Sequence, residues 1–300
     1  MDRLDLKILS VLLDNCRESD RQIGNRIGIS GASVKSRIEK MIQNGTIESF
    51  ALKIEPPVLG YNVLYIVITG QDVDKILKQV ELIGGPFFVV PCIGGITVCS
   101  IVVKENVEQK IELVKKLMQN VRILSIFEAE NPGIRSDLTK TDLEIINHLL
   151  KNPRIKIEEL SRLTKLSTKT IARSLKKIQN DEAILFTVIY DPSKFGQYIS
   201  FAVLVWVEEN LNETLKQLRK EFSSSFLQKP FLAKNQIVLF LYSNNIFELD
   251  NITQRIRDVK GVKTADLFIP KKINLPQNWV SNIIKEAKSS QKLHLMYQRH

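Results

Sequence analysis

Apolar residues recur along the amino-terminal part of the chain at the spacing of an amphipathic helix. Leu4, Ile8 and Leu12 are four residues apart, so they share one face of a helix that begins near Leu4. Asp2 stands just before this segment, where its carboxylate can accept a hydrogen bond from a free backbone N–H as an N-cap. The pattern predicts a short, capped helix that buries one face.

Two more helices follow at short intervals. The pattern predicts helices over 20–27 and 31–43, joined by a turn at Gly28, where glycine can adopt a left-handed conformation. Ser30 is the predicted N-cap of the third helix, and residues 47–54 are predicted to form a β wing. Three helices with a tight turn before the last one, followed by a wing, indicate a winged helix-turn-helix.

The same pattern returns 137 residues later. Residues 4–9 correspond to 141–146 and residues 23–47 to 160–184, with apolar positions matching apolar positions. A constant offset over this length is typical of an internal duplication. The predicted elements of the second helix-turn-helix are helices over 138–149, 157–164 and 168–180, an N-cap at Ser167 and a wing over 184–190.

Each helix-turn-helix is followed by a segment in which short β-rich runs alternate with helical stretches. In both copies the order is βαββαβ, the ferredoxin-like arrangement. The predicted elements of the first copy are strands 63–69, 87–92, 96–103 and 121–128 and helices 73–82 and 107–118. Those of the second copy are strands 198–207, 226–233, 236–242 and 262–268 and helices 211–222 and 246–259.

The predicted fold class is therefore α+β, a tandem repeat of a winged helix-turn-helix and a ferredoxin-like domain, with a helical tail. The predicted segments are 1–54 (first helix-turn-helix), 55–130 (first ferredoxin-like domain), 131–190 (linker and second helix-turn-helix), 191–270 (second ferredoxin-like domain) and 271–300 (basic tail). The tail after Pro276 is predicted to be a basic amphipathic helix that frays. It either contacts phosphates as an arm or forms a docked or disordered terminus.

Residues 82–103 contain no charged side chain and approach the length of a membrane span. Prolines and two glycine pairs divide the segment, so two buried strands joined by a glycine turn are predicted instead. The charged amino terminus lacks the pattern of a signal peptide, and the protein is predicted to be cytoplasmic, with no membrane partner.

Composition narrows the choice of partner and chemistry. Lys and Arg number 43 against 33 Asp and Glu, and the net charge of +10 suits a polyanion. Three cysteines without CxxC spacing predict neither disulfides nor a zinc site. No metal-ligand cluster and no phosphate-binding glycine loop is present in the sequence. The expectation is a protein without metal, cofactor or enzymatic activity.

The third helix of each copy has the composition of a DNA recognition helix. Short polar side chains at its start can approach base edges, and Lys or Arg can neutralise phosphates on either side. The predicted DNA-binding residues are Ser30, Gly31, Ala32, Ser33, Lys35, Ser36, Arg37 and Lys40, and in the second copy Ser167, Thr168, Lys169, Thr170, Arg173, Lys176 and Lys177. The alternative is the solvated face of an ordinary amphipathic helix. The position of both cationic helices directly after the turn favours double-stranded DNA as the partner.

Several of these segments resemble the Lrp/AsnC family of transcriptional regulators. The resemblance rests on residues 5–9, 27–38, 45–47, 55–56 and 59–61, and Asp191-Pro192 with Phe195-Gly196 repeats the last of these. It covers nearly all of 1–130 and, more faintly, 138–270, and it implies two family units fused in one chain. It further implies a DNA-binding winged helix, a ferredoxin-like (RAM-type) domain that drives homo-oligomerisation and, in many members, an amino-acid effector bound between subunits.

The effector site implied by the resemblance has a weak counterpart here. The family carries a Gly-Asx-Tyr-Asp type of loop before the third strand, and only Gly94 matches it in the segment Gly94-Gly95-Ile96-Thr97. Gly94, Gly95 and Thr97 are the candidate effector-binding residues, and an ordinary β turn is the alternative.

The predicted function is a DNA-binding transcriptional regulator whose two recognition helices read different half-sites. The first alternative is an architectural protein that binds DNA without sequence preference, and another is a scaffold in which one helix-turn-helix contacts a protein. A third is an enzyme like the sirohaem decarboxylases, which resemble the same family in fold. Those enzymes depend on histidine and arginine in their ferredoxin-like halves, and no histidine occurs within 54–130 or 191–270.

Overall fold

The computed structural model describes residues 1–69, 72–104, 106–129, 137–181, 183–233, 235–276 and 278–289, without the side chains of 285–289. The predicted linker around Pro132-Gly133 and the last part of the predicted tail, residues 290–300, lie outside the described residues.

The first half of the chain folds as three helices followed by a βαββαβ unit. Its elements are α1 (Arg3–Asp14), α2 (Asp20–Ile27), α3 (Gly31–Gln43), β1 (Ile47–Ile54), β2 (Asn62–Thr69), α4 (Val73–Glu81), β3 (Gly85–Pro91), β4 (Ile96–Val103), α5 (Val107–Leu117) and β5 (Ile123–Ala129). A short 3₁₀ turn over Pro56–Leu59 joins β1 to β2.

The second half repeats this order and adds a last helix. Its elements are α6 (Lys140–Leu149), α7 (Ile157–Thr164), α8 (Thr168–Asn180), β6 (Ile184–Tyr190), β7 (Ile199–Val207), α9 (Leu211–Phe222), β8 (Phe226–Ala233), β9 (Gln236–Ser243), α10 (Ile246–Arg257), β10 (Val262–Phe268) and α11 (Asn278–Ser289). The α+β tandem repeat predicted from the sequence is confirmed.

Local hydrogen bonds begin and end the helices where the sequence predicts. Asp2 accepts a hydrogen bond from the backbone N–H of Asp5, and the Asp5 carboxylate accepts one from the N–H of Asp2, both at 2.9 Å. This reciprocal capping box satisfies N–H groups that have no partner within the helix. Gly28 ends α2 with φ 84° and ψ 32°, the left-handed conformation expected at the turn.

The predicted wings, residues 47–54 and 184–190, form strands β1 and β6 with the predicted bounds, and these strands pair with each other. Each helix-turn-helix contributes a single strand, and β1 pairs antiparallel with β6 in a two-stranded sheet. Leu52 lies opposite Phe186, and both side chains are buried. We call the two helix-turn-helix units with β1 and β6 the head. The pairing of β1 with β6 joins the two duplicated units into one compact body.

The two ferredoxin-like domains have four-stranded antiparallel sheets with the orders β3-β4-β2-β5 and β8-β9-β7-β10. On one face of each sheet, buried side chains such as Ile66 and Leu239 belong to a separate core of their own domain. On the other face, aromatic rings of the two domains meet. Phe127 lies 5.4 Å from Trp206 and Tyr65 lies 6.4 Å from Phe231, between ring centroids. The two sheets therefore face each other within one chain.

A residue of the head lies where these two sheets meet. The Nζ of Lys53, on β1, is 4.8 Å from the ring centroid of Phe231 and 5.5 Å from that of Phe87, and it forms a 2.6 Å ion pair with Glu55. Cation–π contacts of this kind favour a lysine whose stem is half-buried against rings. The head thus contacts an edge strand of each ferredoxin-like sheet through one side chain.

The segment after β10 crosses to the first ferredoxin-like domain and lies along β3. The N–H of Val89 donates to the carbonyl of Asn274 at 2.9 Å, and the N–H of Asn274 donates back to Val89 at 3.1 Å. This pairing covers part of the free edge of β3, which would otherwise expose backbone groups. The described part of the predicted tail is therefore docked.

Helix α11 continues this segment and breaks the symmetry of the duplication. Trp279 is buried and packs edge-on against Phe87, with ring centroids 5.9 Å apart. Gly85 makes room for it, because a Cβ at that glycine would lie 2.7 Å from the Cβ of Trp279. Helix α11 contacts both α6 and β3, whereas in the other half α1 packs directly on β8. The head therefore contacts the two ferredoxin-like domains differently.

The uncharged segment 82–103 forms β3 and β4 and the turn between them, as predicted. Among the described residues, no helix combines the length and the hydrophobicity that crossing a bilayer requires.

Candidate nucleic-acid interface

The first recognition helix, α3, presents a narrow and polar amino end. Ser30 caps the helix by accepting a hydrogen bond from the N–H of Ser33 at 3.1 Å. Gly31 lies against the backbone of Arg21, where a Cβ would be 3.3 Å from the Arg21 Cα, so a small residue lets α3 approach α2 closely. Ala32, like Ser30, is exposed. A helix start with such short side chains can enter the major groove of DNA.

Beyond this first turn, α3 carries exposed cations. Lys35 is 67% exposed at its side chain and makes only a loose 3.9 Å contact with Glu39 among the described ion pairs. Ser36 and Lys40 are also exposed, while Val34 and Ile38 are buried on the opposite face. The helix therefore separates a polar surface from the face that holds it in the head.

The second recognition helix, α8, is built in the same way with different side chains. Ser167 caps it by accepting a hydrogen bond from the N–H of Thr170 at 3.1 Å. Its polar surface is formed by the exposed residues Ser167, Thr168, Lys169, Thr170, Arg173 and Lys176. Ile171, Leu175 and Ile178 are buried on the inward face, as the sequence predicts. Hydroxyls and cations at these positions are groups that bind base edges and phosphates.

Arg37, a predicted DNA-binding residue, is engaged inside the first helix-turn-helix. Its guanidinium Nη1 lies 2.7 Å from carboxylate oxygens of both Asp2 and Asp5. The hydrogen bonds to these carboxylates raise the pKa of Arg37. Slight burial acts to raise the pKa of Asp2, but hydrogen bonds from the Asp5 N–H and from Arg37 outweigh it and lower that pKa. Arg37 therefore ties α3 to the start of α1.

Lys177 and Ser174 form the corresponding tie in the second copy. Lys177 Nζ lies 3.0 Å from Asp142 and 3.3 Å from Asp137, and the Ser174 hydroxyl donates to Asp142. Burial acts to raise the pKa of Asp142, but hydrogen bonds from Ser174, Thr139 and Lys177 lower it overall. Desolvation acts to lower the pKa of Lys177, and its two carboxylate partners raise it. Lys177, like Arg37, holds its recognition helix in place.

Two arginines missed by sequence reasoning fasten the halves of the head to each other. Arg17 donates to the backbone carbonyls of Pro153 and Ile155, the latter at 3.0 Å, and its guanidinium carbon lies 5.6 Å from the ring centroid of Phe186. Arg154, at the equivalent position 137 residues later, lies 4.8 Å from the ring centroid of Phe50. Each arginine thus reaches across to the other copy. The sequence signal for these contacts is that arginine recurs at positions 17 and 154, which are separated by the 137-residue offset of the duplication.

These contacts fix the two recognition helices relative to each other. Strand β1 pairs with β6 along most of its length, and Cys16 donates its N–H to the Phe186 carbonyl at 2.9 Å. Backbone pairing and buried side chains between two units resist relative motion much better than a linker does. The head therefore presents two polar helix surfaces as one body.

The turn before each recognition helix differs between the copies. Gly28 occupies it in the first copy, and Lys165 occupies it in the second with φ 59° and ψ 19°. This left-handed conformation costs a residue with a Cβ roughly 1 kcal/mol more than it costs glycine. The side chain of Lys165 is exposed. The second copy therefore holds an exposed cation in a strained turn.

The candidate effector residues form a tight turn. Gly94 and Gly95 have φ values of 86° and 78° between β3 and β4, which glycine adopts without strain. Thr97 is fully buried within β4. The N–H of Ile93 donates to the carbonyl of Ile269 at 2.8 Å, so the segment after β10 lies beside the turn. The structure places Gly94 and Gly95 in an ordinary hairpin turn and Thr97 in the strand that follows it; effector binding stays a prediction.

The described residues give little support to reactive thiols or to metal binding. Burial raises the pKa of the Cys16, Cys92 and Cys99 thiols to about 12, so they stay protonated at neutral pH. Within the part of the chain that the structure describes, no group of three His, Cys, Asp or Glu could hold a metal ion.

Comparisons with known proteins bear on the head and on the fold. Residues 1–42 match the model of the AsnC-type helix-turn-helix domain, and residues 138–189 match that of a winged helix-turn-helix DNA-binding domain. The chain therefore carries an AsnC-type helix-turn-helix domain in its first half and a winged helix-turn-helix domain in its second half. The two matched segments coincide with α1–α3 and with α6–β6, which belong to the head.

Relatives of the helix-turn-helix domains are named as regulators. The HTH-type transcriptional regulator Ptr1 of Methanocaldococcus jannaschii is 42% identical over 84 residues, which is 27% of this chain and 57% of Ptr1. The uncharacterized HTH-type transcriptional regulator PF1734 of Pyrococcus furiosus is 26% identical over 147 residues, covering 48% of this chain and 97% of that protein. The chain thus spans little more than half the length of Ptr1, and about half of this chain corresponds to nearly all of PF1734.

One solved structure resembles this chain over almost its whole length. It is that of the siroheme decarboxylase NirDL in co-complex with an iron-uroporphyrin III analogue, with a TM-score of 0.50 and 12% identity, covering 95% of this chain and 96% of that one. At this identity the likeness concerns the fold alone. A fold like that of this chain is therefore also found in an enzyme.

Proposed function

We propose that this protein is a transcriptional regulator that binds double-stranded DNA through the exposed faces of α3 and α8. One observation carries the proposal: two helix-turn-helix units are fixed in one head, and each presents a capped recognition helix with exposed cations. The relatives named as regulators support it.

The proposed interface consists of the exposed predicted residues rather than the whole predicted set. Arg37 and Lys177 are assigned to holding their helices, because each already forms two ion pairs. Lys35 and Lys40 on α3, and Lys169, Arg173 and Lys176 on α8, are the exposed cations left to meet phosphates. Residues at the start of each helix are assigned to base contacts.

The two helices differ at their reading positions, so the proposed operator is asymmetric. Ala32 of α3 corresponds to Lys169 of α8, and Ser33 corresponds to Thr170. Side chains of different size and charge prefer different base edges. Two half-sites of unlike sequence are expected, with centres about 34 Å or a multiple apart if both lie on one side of the duplex.

Selection of binding sites from a randomised duplex library tests this proposal. The full-length chain is used at about 0.15 M salt, near physiological ionic strength. Enrichment of two unlike half-sites about 10 base pairs or a multiple apart is the expected result. A symmetric palindrome would refute the asymmetry. Binding without enrichment would favour the architectural alternative, whose further signature is a steep salt dependence with little preference among sequences.

An enzymatic role is the second candidate, and the fold shared with NirDL favours it. The sequence argues against it, since the histidines of this chain are His148, His294 and His300, none of them in a ferredoxin-like segment. We therefore propose a non-enzymatic protein. Titration with an iron-uroporphyrin, followed by Soret absorption for binding and by mass spectrometry for the product, tests this. Saturable binding with release of CO2, a hydrogen replacing the lost carboxylate, would overturn it.

Association of chains and effector binding complete the proposal. A homo-oligomer formed through the ferredoxin-like domains is expected, with sedimentation velocity as the measurement.

An effector at Gly94, Gly95 and Thr97 would shift the affinity for the selected duplex. A panel of free amino acids added to the binding assay, compared with a Gly94→Ala variant, tests that site.

A further inference from the structure

Lys165 occupies a turn position whose left-handed backbone conformation favours glycine. It ends α7 with a φ of 59°, while its counterpart Gly28 ends α2 with a φ of 84°. Glycine occupies this region freely, and a side chain makes it strained. The backbone conformation of this turn therefore does not explain why it carries a lysine.

The lysine side chain has open space to occupy. A Cβ built on Gly28 would meet no heavy atom within 4 Å, so the equivalent direction leads away from the protein. Lys165 is correspondingly exposed. No carboxylate of the described residues forms an ion pair with it, in contrast to Lys177 of the same helix-turn-helix. Its charge is therefore available to a partner.

The turn places this charge beside the recognition helix. Lys165 precedes the N-cap Ser167 by two residues, so the two Cα atoms are at most about 7 Å apart. Lys169 follows on the first turn of α8 and is also exposed. The first copy has Gly28 and Ala32 at the two corresponding positions. Although Lys35 of α3 corresponds to Ala172, the second reading surface has more exposed cations than the first. They are Lys165, Lys169, Arg173 and Lys176, against Lys35 and Lys40 in the first copy.

We propose that Lys165 binds a DNA phosphate at the second half-site and that, together with Lys169, it makes the second helix-turn-helix the electrostatically stronger of the two. This inference rests on the proposed function. Phosphates flank the major groove into which the start of α8 would enter, and lysine contacts them without reading sequence. The second unit therefore supplies more of the salt-dependent affinity, and the first unit depends more on contacts to bases.

Replacement of the charge alone tests the assignment. Binding of Lys165→Gln to a random-sequence duplex of about 40 base pairs, room for two half-sites, is measured by fluorescence anisotropy over a range of salt concentrations. The slope of log K against log salt is expected to become shallower by about 0.9, the contribution of one phosphate contact. The melting temperature is expected to stay unchanged. Lys216→Gln, at an exposed lysine of α9, is the matched control and should alter neither value.

The duplication offers a reciprocal experiment. Gly28→Lys should steepen the salt dependence of binding by about 0.9 while lowering the melting temperature. Lys165→Gly should leave the melting temperature unchanged or raise it, although it weakens binding. If the wild-type chain binds duplex DNA and Lys165→Gln keeps the wild-type slope of log K against log salt, this inference is wrong and the proposed function stands. A wild-type chain that binds no duplex would overturn both.

Discussion

Arg37 and Lys35 lie two residues apart on α3, and their surroundings give them different roles. Arg37 bonds to Asp2 and Asp5, whereas Lys35 extends into solvent. Arg37→Ala is expected to destabilise the head by about 1 kcal/mol, the scale of a partly exposed ion pair with good geometry. Lys35→Ala should leave stability within about 0.5 kcal/mol of wild type and weaken DNA binding. Urea denaturation and duplex titration of both variants distinguish the roles, and an Arg37→Ala variant of unchanged stability would contradict the assignment.

The Asp142 cluster predicts a pH dependence of stability. The folded state lowers the pKa of this carboxyl, so its contribution is complete above the unfolded pKa and is lost as pH falls through the folded value. Asp142→Asn should cost about 1–3 kcal/mol at pH 7, the range for a buried group left without its partners. The difference from wild type should shrink below about pH 4, where the unfolded carboxyl is protonated.

Chemical denaturation of both proteins at several pH values measures this difference. Asp250→Asn is the control, because Asp250 is exposed on α10 and forms no ion pair among the described residues. Its effect should stay within about 0.5 kcal/mol at every pH. A difference for Asp142→Asn that remains constant from neutral to acidic pH would contradict the role given to this carboxylate.

At the scale of elements, α11 is the part that the duplication does not explain. Trp279 is buried against Phe87, close to the free edge of β3. Trp279→Ala should therefore destabilise the protein by about 3–5 kcal/mol, as for other buried large aromatic residues. Leu82→Ala, at a leucine 69% exposed, should change stability by less than about 0.5 kcal/mol. Urea unfolding compares them, and equal stability of the two variants would show that α11 is not anchored by Trp279.

Periodicity and capping residues were sufficient to predict most elements. Ser30 and Ser167 cap the helices assigned to them, and α3, α8, β4 and β8 have the predicted bounds. Such local rules act within a few residues, so they can be read from one sequence. The pairing of β1 with β6 could not be predicted in this way. It joins strands more than a hundred residues apart, and nothing in Ile47–Ile54 alone distinguishes a wing from half of a shared sheet.

The candidate site was predictable in composition but not in detail. The cations of α3 and α8 follow from the helix-turn-helix pattern, and most of them are exposed. That Arg37 faces Asp2 depends on how α1 and α3 pack, which helical spacing within either element does not reveal. Lys165 is not among the predicted DNA-binding residues, because the sequence alone does not show the backbone conformation of a lysine at a turn. Only its backbone conformation, compared with that of Gly28, shows the strain.

At the scale of the whole molecule, the head predicts that both recognition helices engage one duplex. Lys35→Ala with Lys40→Ala, and separately Arg173→Ala with Lys176→Ala, should each make the slope of log K against log salt shallower by about 1.8. Anisotropy titrations of the selected duplex over a range of salt concentrations measure both variants. If only one of the two double variants shows a shallower slope, the helix-turn-helix changed in the other variant does not bind the duplex and has another partner, as in the scaffold alternative.

The pairing of β1 with β6 in one polypeptide changes how occupancy depends on protein concentration. Two separate chains that each supply one helix come apart on dilution, so their joint occupancy of an operator falls with the second power of concentration. If this chain binds DNA as proposed, its second helix is always present at high effective concentration, and operator occupancy is expected to fall with the first power of protein concentration. A cell could keep such an operator filled with few molecules, and a mutation in one helix would change one half of the operator without disturbing the other.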